Sequence, residues 1–434
     1  MAGEPETAGA APNDWNYSAT VGLSFLTLIS SINYLDRSLL GLALPAIKAE
    51  MHVTDTVLGL VSGLAFLLFY SLLGVPIAWA ADRWSRRNII AIGLAFWSLM
   101  TLATGWVANI WQLALTRFLM GAGEACGIAP SNSMLGDLFT EKRRPLAMSI
   151  FGAAVSVSSI LFFPLMGWIG QHYGWRRMFF AAGLPGLALA LFFVLVVREP
   201  VRGQSERVAV SAGRESVATT IRFLAGSRSY LALVAAATFM GLNVFAAGIW
   251  IPTFLQRVHG MSLAETAALI GPLRGVFGFA GVVLGGLTID RLMRRNSHWR
   301  ATVPAIACFL VVPVELAFLL SNSRAVWVAA FAASAFLVLV HQGPLFAMVM
   351  SIARVRMRAV AISLLVLCSA LLGQASGPLI IGALNDRLTP TLGENAIRFS
   401  LLVIVASAFA AGVCLLVAGR YVERDMARAR GDVE

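Results

Sequence analysis

The chain has 434 residues, of which 58% are hydrophobic and 13% charged, with a formal net charge of +11. Charged residues make up about a quarter of a soluble domain, so this composition excludes a soluble globular protein and makes lipid the solvent for most of the chain. At about 20 apolar residues per crossing, twelve helices consume nearly the whole length and leave no room for a separate soluble domain.

In chain order, residues 1–18 hold Glu4, Glu6 and Asp14 but no Lys or Arg. That argues against the basic start of a cleavable signal peptide and predicts a disordered cytoplasmic tail. Hydropathy then predicts spans at 19–45, 57–81, 87–107, 109–136, 146–170 and 176–197. Residues 198–229, rich in Arg, Glu and Ser, form the only long polar stretch between spans and read as a cytoplasmic linker. Six more spans follow at 230–255, 264–289, 301–321, 325–353, 359–384 and 397–419, with residues 420–434 as a cytoplasmic tail. The expected domains are therefore two six-helix bundles, 19–197 and 230–419, in an all-α membrane protein. Cys126, Cys308, Cys368 and Cys414 lie in apolar runs without paired spacing, which predicts neither disulfides nor a metal site.

The basic residues fall unevenly between these spans. The connections on one side, together with the C-terminal tail, hold 23 of the 33 Lys and Arg; the opposite connections hold seven, and Arg37, Arg117 and Arg274 lie inside spans. By the positive-inside rule both termini face the cytoplasm of an inner membrane. The excess charge thus orients the chain in a bilayer and requires no nucleic-acid partner.

The two halves repeat each other. Leu35, Asp36, Gly41 and Pro45 fall on Leu242, Asn243, Gly248 and Pro252 at an offset of 207. Asp82, Arg83, Arg86 and Arg87 fall on Asp290, Arg291, Arg294 and Arg295 at 208, and Pro130 and Pro164 fall on Pro344 and Pro378 at 214. Three segments in register indicate duplication. Parallel repeats about an axis along the membrane normal, with a central site open to each side in turn, are a known transporter design. The loop Ala78-x3-Asp82-Arg83-x2-Arg86-Arg87 and its copy from Gly286 resemble the signature loop of the major facilitator superfamily, with Ala78 and Ser85 standing where that family usually has glycine. Two readings of the loop stand side by side: a gate in which Asp82 pairs with arginines of the next loop, and plain topological anchoring by Arg83, Arg86, Arg87 and Arg291.

Charges inside the spans carry the next inference, because each costs roughly 3 kcal/mol near mid-bilayer even on a lenient scale. Asp36 lies nine residues from Pro45, and Arg117 eight from Asn109, which sets them at matching depth. Glu124 lies two turns beyond Arg117, about 10 Å deeper. Asp36 and Arg117 are expected to form a breakable pair with Glu124 as a second, proton-accepting carboxylate, the other reading being a static pair that leaves Glu124 without a partner. Arg274 suits an anionic head group or a bond to backbone carbonyls. His341 reads either as a proton carrier or as a packing residue. Glu315, six residues from the outer end of its span, is expected to snorkel to the surface.

The strings Asn33-Tyr34-Leu35-Asp36-Arg37-Ser38 and Arg117-Phe-Leu-Met-Gly-Ala-Gly-Glu124-Ala resemble the spinster-like branch of that superfamily, whose animal members export sphingosine-1-phosphate and lysophospholipids. The resemblance implies a monomeric, proton-coupled transporter for an amphipathic anionic or zwitterionic lipid, with Asp36, Glu124 and Arg117 coupling protons and Arg37, Asn243, Arg274 and His341 facing substrate. The rival is the organic-anion symporter branch, with similar strings in spans 1 and 4. Its sugar-phosphate carriers use paired arginines in spans 1 and 7, whereas here Arg37 is matched by Val244. Phe239, Met240, Phe245, Trp250, Phe331, Phe336 and Phe346, with few amides besides Asn243 and Gln342, favour a greasy cavity wall over a sugar site. No nucleophile elbow or helical histidine pair points to an enzyme, and no cofactor is implied.

Overall fold

The computed structural model describes residues 17–202 and 216–431; the bulk of the predicted N-terminal tail, residues 203–215 of the linker and the last three residues lie outside the described residues. The first half comprises α1 (Tyr17–Met51), α2 (Asp55–Ala81), α3 (Arg86–Thr104), α4 (Ile110–Glu124 and Ile128–Leu138), α5 (Arg144–Tyr173) and α6 (Trp175–Val196). The second comprises α7 (Arg228–His259), α8 (Leu263–Met293), α9 (Trp299–Leu320), α10 (Arg324–Ile352), α11 (358–392) and α12 (Leu402–Arg430). A short helix, Val217–Ala225, lies in the linker before α7. The helix of α12 continues beyond the predicted span end at 419 to Arg430, and Asp425 accepts bonds from Ser227 and Ser229 at the foot of α7.

Local chemistry sets the helix starts. Thr54, Ser85, Asn109, Ser227 and Ser262 each cap the following helix through a side-chain oxygen, and Ser262 with Glu265 completes a capping box. Between α5 and α6 the chain reverses at Gly174, whose φ of +87° is accessible to glycine at little cost. α4 breaks over residues 125–127 and α10 at His341. These breaks fall at equivalent places, Gly127 and His341 being 214 apart.

The halves meet through α1 on α7, α2 on α11 and α5 on α8. Their close approaches concentrate toward the face opposite the termini, where glycines admit a neighbouring backbone. A Cβ at Gly59 would overlap the Pro378 carbonyl, and one at Gly271 the Ser159 carbonyl. Three helices at these seams carry a π-helical turn: Val61–Ala65 in α2, Ser158–Phe162 in α5 and Ser369–Gln374 in α11. Such turns recur at functional sites because they locally loosen the helical ladder. A cavity of about 340 Å³, lined by Thr20, Ser24, Thr27, Ser31, Ile150 and Val157 among others, lies between α1 and α5 on the terminus side of these contacts.

The loop between α2 and α3 differs from expectation. Asp82 is exposed and makes no ion pair among the described residues. The hub is instead Arg86, buried, which bonds Asp137 at the end of α4 at 2.5 Å and Glu199 at 2.9 Å, with further bonds to Ser133 and to the Pro200 carbonyl. Arg87 reaches the carbonyls of Val194 and Val197, and Arg83 stacks on Trp79. Burial opposes the charge of Glu199, but the Arg87 amide, the Arg86 guanidinium and the Ser85 hydroxyl outweigh it and hold the carboxyl below its ordinary range. In the second half Asp290 and Arg291 are exposed, and Ser351 stands where Asp137 stands in the first, so the copy lacks the equivalent pair.

Two outcomes follow. Gly59→Leu should force α2 away from α11, lengthening the distance between spin labels at the outer ends of those helices in double electron–electron resonance; an unchanged distribution would contradict the seam described. Arg86→Ala removes the guanidinium that two partly buried carboxylates share and should cost on the order of 3 kcal/mol in thermal unfolding. Because the folded Glu199 carboxyl is depressed, its stabilisation is present above the ordinary glutamate range near pH ~4.3 and lost as pH falls through the folded value; Glu199→Gln should lack that part of the acid sensitivity.

Candidate functional site

At the middle of α1, the successive residues Asp36 and Arg37 point about 100° apart around the helix axis, and this divergence organises the site. Arg37 turns toward α4 and α2: its Nε donates to Glu124 Oε2 at 2.6 Å, and its guanidinium lies over the rings of Tyr70 at 4.5 Å and Phe66 at 5.2 Å. Glu124 is fully buried, and Asn33 flanks its second oxygen. Asp36, also fully buried, turns toward α3, where the Thr101 hydroxyl and Trp97 indole face it, and neither carboxylate oxygen makes a hydrogen bond.

The expected Asp36–Arg117 pair is therefore not formed. Arg117 donates instead to the Asp36 backbone carbonyl at 3.4 Å and to Met120 Sδ at 3.1 Å, and its guanidinium carbon lies 5.3 Å from the Phe66 ring centre. Depth matched the two residues, but direction around the helix separates them. The observed pair joins Glu124 to Arg37, a residue expected to face substrate. Close packing makes this reach possible: a Cβ at Gly121 would overlap the Phe66 carbonyl of α2, and one at Gly123 would crowd Trp97 of α3. Two cations and two carboxyls thus share one dry cluster between α1 and α4.

Arg274, half-buried on α8, makes no hydrogen bond or ion pair among the described residues. With Ser38 of α1 and Ser158, Ser159 and Phe163 of α5 it lines a small cavity at the seam between the halves, and its guanidinium lies beside Gly248 of α7. Among the described residues, this unpaired buried-seam cation is well suited to hold an anion. The Ser38 face of α1 continues through Ser31, Thr27, Ser24 and Thr20 into the larger cavity, each of Ser24, Thr27, Ser31 and Ser38 bonding back to the carbonyl four residues earlier.

The other predicted substrate residues lie elsewhere. Asn243, 1% exposed, donates to Glu315 and to the Ile404 carbonyl, linking α7, α9 and α12 inside the second half. His341 is buried at the break in α10 with Nδ1 2.6 Å from the Val338 carbonyl. Among the expected aromatic wall, Met240, Trp250 and Phe331 are core residues, and Trp250 bonds the Pro378 carbonyl, while Phe239, Phe245, Phe336 and Phe346 remain half-buried. Glu315 does not snorkel; it is 2% exposed, its carboxyl turned inward between Asn243 of α7 and Ser334 of α10.

A second charged cluster, unforeseen from sequence, closes the outer face. Asp55, buried at the start of α2, accepts two bonds from Arg257 of α7, at 2.6 and 3.0 Å, and lies 2.8 Å from Lys48. In return Asp386 of α11 accepts the backbone N–H groups of Asp55 and Thr56 and the Thr56 hydroxyl, at 2.9, 2.7 and 2.5 Å. The halves are thereby latched carboxylate to helix end in one direction and carboxylate to guanidinium in the other. The signal was available: acids as well as bases occupy the short outer connections.

The sequence profile of the Major Facilitator Superfamily matches residues 26–378. An "MFS-type efflux pump" of Mycolicibacterium smegmatis is 28% identical over 94% of each chain. A "Probable galactarate/D-glucarate transporter" of Bacillus subtilis is 28% identical over 66% of this chain and 68% of its own. A sphingosine-1-phosphate transporter of Danio rerio is 26% identical over 87% of this chain and 78% of its own. Among solved structures, a bacterial homologue of the human lysosomal transporter Spinster, in an inward-facing and occupied conformation, superposes with a TM-score of 0.80 at 24% identity over 94% of this chain and 98% of that one. The duplicated twelve-helix fold, the paired signature loops and this match over most of the chain identify a multi-pass membrane transporter of the Major Facilitator Superfamily.

Proposed function

We propose that the protein is a proton-coupled secondary transporter of the spinster-like type, moving an amphipathic lipid with an anionic head group by alternating access. The observation that carries the reading is an unpaired Arg274 at the seam, beside Ser38 of α1, the same helix that carries Asp36 and Arg37 of the four-member charge cluster. A cation without a counter-ion in a membrane seam supplies the head-group contact, with Ser158 and Ser159 as further donors. Half-buried Phe239, Phe245, Phe336 and Phe346 offer apolar surface to a tail. The likeness to a sphingosine-1-phosphate transporter over most of the chain supports the same substrate class.

In this scheme Asp36 and Glu124 take up protons, and Arg37 and Arg117 are the cations whose partners change when they do. A proton on Glu124 releases Arg37, which is then free to turn toward Asp36 or a substrate anion. The positive-inside pattern places the termini in the cytoplasm of an inner membrane, so the latched outer face and the cavity on the terminus side describe an inward-facing state, and the Asp82 and Asp290 loops, with their arginines, gate its cytoplasmic mouth. The protein works as a monomer in this reading, its two domains at 19–197 and 230–419 joined by the 198–229 linker. A second reading, a small organic dianion as substrate, is favoured by the tightness of the Arg274 cavity and by the galactarate/D-glucarate relative.

The test is uptake into liposomes under an imposed pH gradient, with labelled sphingosine-1-phosphate or lysophospholipid against galactarate. Gradient-driven lipid uptake is expected, reduced roughly tenfold or more by Arg274→Ala, as for loss of a bond to a charged group. In Glu124→Gln uptake should persist weakly and lose its pH dependence. Galactarate uptake in place of lipid would favour the second reading, and normal pH-dependent transport by both Asp36→Asn and Glu124→Gln would refute proton coupling through this cluster.

A further inference from the structure

The two halves carry a buried carboxyl at the same structural position but on different helices. In the first half Asp36 of α1 faces Thr101 of α3. At the offset of 207 Asp36 corresponds to Asn243, and at the offset of 214 that relates Pro130 to Pro344, Thr101 corresponds to Glu315. Asn243 and Glu315 face each other. The acid and its polar neighbour have exchanged helices across the repeat.

The surroundings of Glu315 do not suit a charge. Its carboxyl meets only the Asn243 amide, at 3.2 and 3.3 Å, and the Ser334 hydroxyl, at 3.4 Å. Bonds to an ionised carboxylate are typically shorter, about 2.7–2.9 Å from a cationic N–H donor. The same amide gives its shortest bond, 2.9 Å, to the neutral Ile404 carbonyl. Among the described residues no cation neutralises the group: on the helices around it, Arg274 faces the α5 seam, Arg257 is held by Asp55, Arg398 by the Leu320 carbonyl and Asn322, and Arg324 is exposed. His341 is engaged with Val338, and the nearby thiol of Cys308 faces Met240. An unpaired carboxylate at this depth would carry the full cost of a buried charge, whereas a carboxylic acid can donate its proton to the Ser334 hydroxyl.

We propose that Glu315 is a second proton-binding site, in the C-terminal half, which holds a proton in the outer-closed state and exchanges it during the transport cycle. Its ligand is the proton itself, and the exchange rests on the proton-coupled reading above; proton occupancy does not. The site gives the second half a titratable group of its own, where the repeat otherwise replaces Asp36 by an amide.

Infrared difference spectroscopy of the purified, lipid-reconstituted protein tests both parts. At neutral pH the wild type should show the carbonyl band of a protonated carboxylic acid in dry surroundings. That band should vanish in Glu315→Gln, shift in Glu315→Asp and persist in Asp36→Asn. The double variant Asn243→Asp with Glu315→Thr, which rebuilds the first-half arrangement, should keep a folded protein and move the band to the new acid. Addition of sphingosine-1-phosphate or galactarate, whichever is transported, should change the wild-type band. Identical spectra for wild type and Glu315→Gln would overturn the site, and a band unmoved by substrate and by pH up to strongly alkaline values would overturn the exchange. Should transport prove independent of the pH gradient while the band still vanishes in Glu315→Gln, the coupled reading fails and the occupancy stands.

Discussion

The ion pair between Arg37 and Glu124 is the contact on which the centre of the molecule depends. Within the pair Glu124 is fully buried and Arg37 largely so, and the cost of each charge is offset by the other. Its geometry demands that α4 approach α2 and α3 within the thickness of a glycine, at Gly121 and Gly123, and that the aromatic pair Phe66 and Tyr70 lie flat beneath the guanidinium. Arg117 is left with a backbone carbonyl, a thioether and the other side of the Phe66 environment, and Asp36 without a cation of its own. The cluster is balanced in number and frustrated in pairing. A group of this kind has more than one arrangement of similar energy, which is what a switch requires.

The rest of the fold converts such a local change into motion between halves. Outside the central cluster, the strong polar contacts across the seam lie at the outer face, around Asp55, Arg257 and Asp386, while Arg86, Asp137 and Glu199 brace the terminus side within the first half alone. Glycine-mediated backbone contacts and π-helical turns at the same seams let α2, α5 and α11 bend without losing their ladder. Separating the halves at the face opposite the termini therefore means breaking two charge-assisted contacts of opposite polarity.

Much of this was legible in the sequence. Composition named lipid as the solvent, the distribution of arginine ordered the connections, and three segments in constant register disclosed the duplication. Most span boundaries fell within about four residues, the exceptions being ends such as α12, where the helix continues past the apolar stretch. What one dimension does not carry is direction around a helix axis. Counting residues placed Asp36 and Arg117 at one depth, but Arg37, its neighbour in sequence, occupies the face that meets Glu124. The same limit hid Glu315, whose distance from the end of its own helix was short although its side chain turns inward to Asn243 and Ser334. The outer latch escaped because only the bases in those connections were weighed, while Asp55 and Asp386 stand among them. Asp82 was expected to pair because it neighbours arginines in sequence; Arg86 instead finds its acids at the ends of α4 and α6, far along the chain.

The claim that most needs testing is that the Arg37–Glu124 pair is a working element and not a fastener. Exchanging the two charges, Arg37→Glu with Glu124→Arg, separates the roles, because a fastener is indifferent to which helix carries which sign. Thermal stability and transport should be measured side by side for the two single variants and the double. Stability lost in each single variant and largely regained in the double, with transport still absent, is the result this account predicts, since the reversed pair no longer offers a proton-accepting carboxyl on α4. Recovery of both stability and pH-dependent transport in the double variant would contradict it.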